Sequence, residues 1–285
     1  MILVFGKTGQ VARELKTHKD VIALGRDEAD LSTPTLCAEV ISCYKPRAVI
    51  NAAAYTAVDT AESEEKLANT INGDAPGAIA SVCADLDIPL VSISTDYVFD
   101  GSGTTPWSVT DTPNPQNAYG RSKLKGEQAI NASGCVHAII RTSWVVSAHS
   151  NNFVKTMRRL SATQDRITVV DDQIGGPTCA RDIAQTCISI AEQLIQDPRK
   201  SGIYHYGGQP DVSWCQFANA IFEQMDCKTI ASPIATIEYP RPAKRPLNSR
   251  LDCAHTQKTF GIARPFWRDG LEEVLRDLES ENDRA

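Results

Sequence analysis

Ile2-Leu3-Val4-Phe5-Gly6-Lys7-Thr8-Gly9-Gln10-Val11-Ala12 is the stretch on which the fold turns. Four apolar residues of strand length run straight into a glycine loop, and the loop opens a helix-forming segment. A strand, a turn and a helix in that order point backbone N–H groups and the positive end of a helix dipole at one place, which suits a pyrophosphate. Gly6 and Gly9 let the backbone turn and approach such a group, with Thr8, Gln10 and Val11 as its expected neighbours. The spacing is G-x-x-G-x-x-A rather than G-x-G-x-x-G, so the position directly after the first strand carries more weight than the glycines alone.

Outward from that loop the same alternation repeats. Val21 to Leu24, Ala48 to Asn51 and Leu90 to Ser94 read as further strands, with helices expected over 10–19, 33–44, 60–69 and 74–85. Regular β-α alternation argues an α/β fold, a Rossmann-type doubly wound parallel sheet whose apolar strands are covered on both faces. Gly101 to Pro106 and Pro113-Asn114-Pro115 mark a long surface loop. A helix over 117–132, a strand from Val136 to Arg141 and a helix over 152–160 continue the rhythm. It loosens from about residue 165, through Ile167 to Val170, helices at 180–195 and 213–226, Ile203 to Tyr206 between them, and a last helix near 268–282. The expected division is a dinucleotide-binding domain over 1–165 and a smaller substrate-binding lobe over 166–285, with crossovers of the chain between them.

Composition narrows the function. With 285 residues, 42% of them hydrophobic and 22% charged, the chain can bury a large core and has no disordered signature. A net charge of -6 gives no general attraction to nucleic acid or to an anionic membrane. No apolar run approaches the roughly 18 residues of a membrane span, and no signal peptide is expected, which places the protein in the cytoplasm. Nine scattered cysteines without a C-x-x-C pair read as free thiols, and five scattered histidines give no zinc spacing, so no metal site is expected.

Three further features carry chemistry. Leu24 is followed by Gly25-Arg26 where an NAD enzyme usually keeps an acid for the ribose 2'-hydroxyl, and an arginine there favours the 2'-phosphate of NADPH. Asp27 and Glu28 keep NADH open. Tyr119 and Lys123 stand at i and i+4, on one face of one helix. A tyrosine with an ordinary pKa of about 10 shuttles protons poorly near neutrality, and a cation beside it would lower that value. Ser94, Thr95 and Asp96 end the fourth strand, at the sheet edge where such folds bind ligands, and the Thr95 hydroxyl is placed to orient a carbonyl.

These pieces resemble one family. Gly6 to Val11, Asn51-Ala52-Ala53-Ala54-Tyr55-Thr56-Ala57-Val58-Asp59, Ser94 to Phe99, Tyr119-Gly120-Arg121-Ser122-Lys123, Arg141-Thr142-Ser143-Trp144, Asn151-Asn152-Phe153 and Arg245 to Leu251 follow in order the motifs of extended short-chain dehydrogenase/reductases of the dTDP-4-dehydrorhamnose reductase type. The resemblance implies reduction of the C4 ketone of dTDP-4-dehydro-L-rhamnose for dTDP-rhamnose biosynthesis. It implies Thr95, Tyr119 and Lys123 as the catalytic set. Ala52, Ala53 and Tyr55 would line the cofactor, with Asp30 and Leu31 after the second strand, and Asp96, Tyr97, Trp144 and Asn152 would face the sugar. In that light Arg241, Lys244, Arg245 and Arg250, four cations without an acid over residues 241–250, find their counter-ion in a nucleotide diphosphate, with Asn248 and Arg250 the firmest candidates.

One departure bears on assembly. Some members of the family are metal-bridged dimers held by glutamates, and Glu14 matches one such position, whereas Arg181 stands where another acid would be. A monomer or a weak homodimer without the metal is therefore expected. Two other readings stay open: a different nucleotide-sugar reductase or epimerase on the same scaffold, and a non-catalytic regulatory subunit similar to the beta subunit of methionine adenosyltransferase.

Overall fold

Strand β1 (Ile2–Phe5) is fully buried because both its faces are covered: Ile2 and Val4 enter one apolar cluster, and Leu3 and Phe5 enter another on the opposite side of the sheet. In the computed structural model, which describes residues 1–282, it is joined by β2 (Val21–Leu24), β3 (Ala48–Asn51), β4 (Leu90–Thr95), β5 (His137–Thr142) and a sixth strand, Gly202–His205. All the pairings in this sheet are parallel, in the order Gly202–His205, β5, β4, β3, β1, β2. The order reverses between β1 and β3, which opens a crevice at their carboxyl ends, where Gly6 and Ala52 follow the two strands.

One face of the sheet is covered by the helix Ala180–Gln196, whose Ile183, Cys187, Ile190 and Leu194 pack on Val4, Ile50 and Ile140. The other is covered by Pro34–Tyr44 and Ala75–Asp85 through Ile41, Ile79 and Cys83. Each such buried aliphatic side chain contributes about 1.5–3 kcal/mol. Strand β2 departs from the expected two-sided burial: it is the edge strand, and Ile22 is 38% exposed. The chain passes into a third apolar cluster at Val146, Val154 and Met157, returns to the sheet for Ala180–Gln196 and Gly202–His205, and leaves again for Trp214–Gln224 and Trp267–Asn282, whose Phe217, Ile221, Trp267 and Leu271 complete that cluster.

Local differences from the expected elements have local causes. The first helix stops at Leu15 instead of residue 19, because Thr17-His18-Lys19-Asp20 turns to bring Val21 alongside Ile2. The stretch read as one helix over 60–69 is two, Val58–Ala61 and Glu65–Asn69, and the latter runs through a π-helical turn, Thr70–Asp74, into Ala75–Asp85. Strand Ile230–Ile234, which pairs with Arg166–Val170, and helix Ala254–Phe260 lack a periodic apolar signal and were not expected. Among the described residues no helix is long and apolar enough to cross a membrane.

Candidate active site

Gly6 takes a φ of +112°, a conformation that L side chains rarely adopt, and a Cβ there would lie 3.3 Å from the backbone of Ala52 and Ala53. The glycine thus lets the loops after β1 and β3 touch, while Gly9 faces open space. The loop is tied from the far side. Ser150 Oγ donates to the Thr8 carbonyl at 3.1 Å, and Gln10 Oε1 accepts from Ser147 Oγ at 2.8 Å and Asn152 Nδ2 at 3.0 Å. Val11 is core, packed with Leu15 beneath the sheet. An unpartnered, buried Asn51 Nδ2 lies at the end of β3, beside this cradle. Glycine loop, exposed N–H groups and orphaned donor fit a dinucleotide pyrophosphate.

At the end of β2 one of the two acids that kept NADH open is engaged away from the cation. Glu28 is neutralised by Lys7 Nζ at 2.7 Å and by the Gly25 N–H at 2.9 Å, whereas Arg26 is exposed and has no ion-pair partner among the described residues. Asp30 turns inward on its own loop, accepting the Ser32 N–H at 2.8 Å, and the Leu31 side chain is buried with Ile41.

Tyr119 and Thr95 meet through a hydrogen bond, and Lys123 docks two residues earlier on the same strand. Asn117 caps the helix Ala118–Ala132 by accepting the Gly120 N–H, which starts the helix where Tyr119 faces the end of β4. A Cβ on Gly120 would collide with the Tyr97 carbonyl, so only glycine allows this approach. Lys123 is buried, and its Nζ donates to the Ile93 carbonyl at 2.7 Å, two residues before Thr95. Burial pushes the Tyr119 phenol up to about 12, with hydrogen bonding by Thr95 pulling it back and the Asp96 charge adding to the rise. Lys123, expected to lower the phenol, is not among the groups that act on it: its ammonium is turned to the main chain. Burial brings Lys123 itself down to about 8, against the opposing Glu127 charge.

Of the residues expected to face the sugar, Asp96 and Tyr97 follow the end of β4 directly. Asp96 is buried, accepts from Thr95 Oγ1 at 3.1 Å, and has an unpartnered Oδ2; burial lifts its carboxyl to about 7 against hydrogen bonds from Ser249 and Thr95. Tyr97 packs edge-on against Tyr119 at 5.7 Å, its phenol raised by burial. Trp144 sits in a left-handed backbone conformation (φ 49°) and stacks on Trp214 at 3.6 Å. Asn152 caps the helix Phe153–Ser161 and gives its Nδ2 to Gln10, Ser147 and His149, so its contribution runs through the glycine loop it braces. Asn248 is equally committed: Nδ2 donates to the Thr105 carbonyl at 2.8 Å and Oδ1 accepts Arg250 Nη1 at 3.0 Å. Arg245 is paired with Asp59 at 2.8 Å, leaving Arg250 and the exposed Arg241 and Lys244 as the available cations of that segment.

Several residues of the site carried no readable signal. Asn72, presented by the π turn, holds the Tyr55 backbone through both amide atoms at 2.8 and 3.0 Å and donates to Ser122 Oγ at 2.9 Å, which docks the catalytic helix. The Tyr55 hydroxyl is held by Glu64 at 2.6 Å. Glu127, four residues past Lys123, lies in a buried ion pair with Arg141; the continued i+4 spacing was the available hint.

The family's bridging metal does not fit this chain. Arg181 reaches Glu14 at 3.3 Å, Glu273 at 2.8 Å and Asp277 at 2.7 Å, so the cation among these carboxylates is a guanidinium.

Comparison with known proteins agrees with this arrangement. The model of the RmlD substrate binding domain family matches residues 1–280. A dTDP-4-dehydrorhamnose reductase of Sinorhizobium fredii is 40% identical over 284 residues, covering 96% of each chain. The crystal structure of the dTDP-4-dehydrorhamnose reductase of Clostridium acetobutylicum superposes with a TM-score of 0.91 at 36% identity, covering 98% of this chain and 99% of that one. That of Bacillus anthracis, solved in complex with NADP, gives 0.89 at 33% identity over 97% and 98%. These relatives carry the name of a reductase and not of a regulatory subunit. The chain belongs to the dTDP-4-dehydrorhamnose reductase family.

Proposed function

We propose that the protein reduces the C4 ketone of dTDP-4-dehydro-L-rhamnose to the hydroxyl of dTDP-L-rhamnose, with NADPH as the preferred reductant. The observation that carries this reading is the convergence on the end of β4 of Tyr119, hydrogen-bonded to Thr95, and Lys123, bonded to the Ile93 carbonyl, in the sheet that also carries the Gly6 loop. Gly6, Thr8, Gly9, Gln10 and Val11 would hold the pyrophosphate through their backbone, Arg26 the 2'-phosphate, and Ala52, Ala53 and Tyr55 the adenosine and nicotinamide halves along the β3 loop. When bound, the nicotinamide supplies a hydride to the ketone carbon.

The protein's own groups do the rest. Thr95, whose hydroxyl proton lies on Asp96 in the free chain, would turn it to the ketone oxygen and fix the direction of that oxygen. Tyr119, with its phenol at about 12, is fully protonated at neutral pH and delivers that proton to the developing alkoxide. Lys123, at about 8, is still largely charged and favours the phenolate left behind. Arg250, beside Asn248, offers its charge to the diphosphate, and Asp96, Tyr97 and Trp144 shape the sugar pocket. Residues 1–165 serve mainly the dinucleotide and 166–285 mainly the sugar, with Ala180–Gln196 and Gly202–His205 returning to the first. With Arg181 in place of a bridging ion, we assign a monomer or a weak homodimer. The free cysteines suit the cytoplasm, where the sugar nucleotide is made.

Incubation with NADPH and dTDP-4-dehydro-L-rhamnose, followed by NMR of the product, tests the reading. A product with L-rhamno configuration is expected; conversion only of a different ketosugar would assign another member of the same scaffold.

A further inference from the structure

Beneath the catalytic helix lies an ion pair that the reaction as described does not use. Glu127 and Arg141 are 3% and 2% exposed, with Arg141 Nη2 at 2.6 Å from Oε2 and Nε at 3.0 Å from Oε1. Ser94 Oγ donates to Oε1 at 2.5 Å, so the carboxylate is held from two strands of the sheet, β4 and β5. Burying two charges is costly, and apolar side chains of the same size would often stabilise a fold as well or better. A pair kept at that cost, one residue from Thr95 and one helical turn from Lys123, calls for a role.

The geometry supplies it. Lys123 and Glu127 stand at i and i+4 and border one cavity of about 10 Å³ together with Asn72, Ser92 and Ser94, with Ile93, Ile130 and Ile139 completing its wall. The charged groups around Lys123 can be counted from each element. Its own helix offers Tyr119 and Glu127; β4 offers the Ile93 carbonyl, Ser94 and, at its end, Asp96; the π turn offers the neutral Asn72; β5 offers Arg141 behind Glu127. Behind Arg141, His205 is kept neutral, brought down to about 3 by burial and by the guanidinium. Without Glu127, Arg141 and Lys123 would be two buried cations with no carboxylate of this helix beside them.

We propose that Glu127 is a positioning residue for the reaction: its carboxylate, fixed by Arg141 and Ser94, is the buried counter-ion that keeps Lys123 charged and at its station below Tyr119. The assignment rests on the reading of Lys123 given under the proposed function, and it goes beyond that reading by saying what sustains the ammonium in a buried site. The depression of Lys123 by burial, opposed by Glu127, agrees with it.

The test is the pH dependence of ketosugar reduction by wild type and by Glu127→Gln, between about pH 6 and about pH 10. Wild type is expected to lose turnover above about pH 8, where Lys123 gives up its proton. In Glu127→Gln that alkaline limb should move down by about one pH unit, so that the variant is about fivefold slower at pH 8 and close to wild type near pH 6. Because the variant orphans Arg141, the double variant Glu127→Gln/Arg141→Gln, which removes both buried charges, is measured beside it and should show the same displaced limb. If either folded variant loses melting temperature or overall rate while its alkaline limb stays with the wild type, Glu127 is structural only and the proposal fails. Absence of turnover in the wild type would instead overturn the assigned reaction, and the two failures are distinct.

Discussion

The ammonium of Lys123 lies 2.7 Å from the carbonyl oxygen of Ile93, on the strand that ends at Thr95. That bond fixes the catalytic helix to the catalytic strand, and it does so with a charge taken out of water. Burial lowers Lys123 from 10.5 to about 8, so the unfolded chain holds the proton more tightly than the folded one between those values. Stability from this group is full above pH 10.5 and is lost as pH falls through about 8. Lys123→Met should therefore abolish reduction, by about 100-fold or more, without lowering the melting temperature at pH 7. Thermal melts across pH 7 to 10.5 check the second half: the wild type should gain on the variant as pH rises. A variant that simply unfolds at pH 7 would contradict it.

Asp96 has the opposite sign. Its carboxyl is raised from 3.8 to about 7 by burial, so the folded chain binds the proton more tightly. Its contribution is full below 3.8 and is lost as pH rises through about 7. Asp96→Asn, which cannot ionise, should flatten that part of the stability curve, measured by urea unfolding at about pH 5 and about pH 8.

Gly6→Ala should cost about 1–3 kcal/mol, from the strained φ and from the contact with Ala52 and Ala53. Because the loop must shift to take the methyl group, NADPH affinity, read by fluorescence titration, should fall along with the melting temperature. Gly9→Ala, where space is open, should leave the melting temperature unchanged.

Removal of Arg26 separates the two cofactors. Arg26→Ala should weaken NADPH by about tenfold or more, the loss of a charge-assisted contact of at least about 1.4 kcal/mol, and leave NADH unchanged. Equal effects on both would locate the 2'-phosphate elsewhere.

Arg181 predicts indifference to divalent metal. Light-scattering mass and activity should be the same in magnesium and in EDTA, since the carboxylates of Glu14, Glu273 and Asp277 are already satisfied. Loss of a dimer on chelation would overturn this.

Much of this architecture was legible because it is local. β1, the Gly6 turn and the Tyr119/Lys123 spacing are each written in a few consecutive residues, and burial on both faces makes the inner strands continuous apolar runs. What escaped depends on contacts between distant segments. Asn72 acts only because a π turn aims it at Tyr55 and Ser122, and no periodicity announces such a turn. Asn152 and Asn248, read as facing the substrate, spend their amides on Gln10 and Thr105, more than 130 residues away in each case. The free chain shows no effect of Lys123 on Tyr119 for a related reason: helix spacing predicts which side chains are neighbours, but not that the ammonium bonds the Ile93 carbonyl.

The most direct test of the central claim is single-turnover reduction of dTDP-4-dehydro-L-rhamnose by Tyr119→Phe, with NADPH binding measured on the same sample. If Tyr119 is the proton donor, nicotinamide oxidation should slow by about 100-fold or more while NADPH affinity is kept. Reduction at the wild-type rate, or NADPH binding without turnover in the wild type itself, would contradict the account.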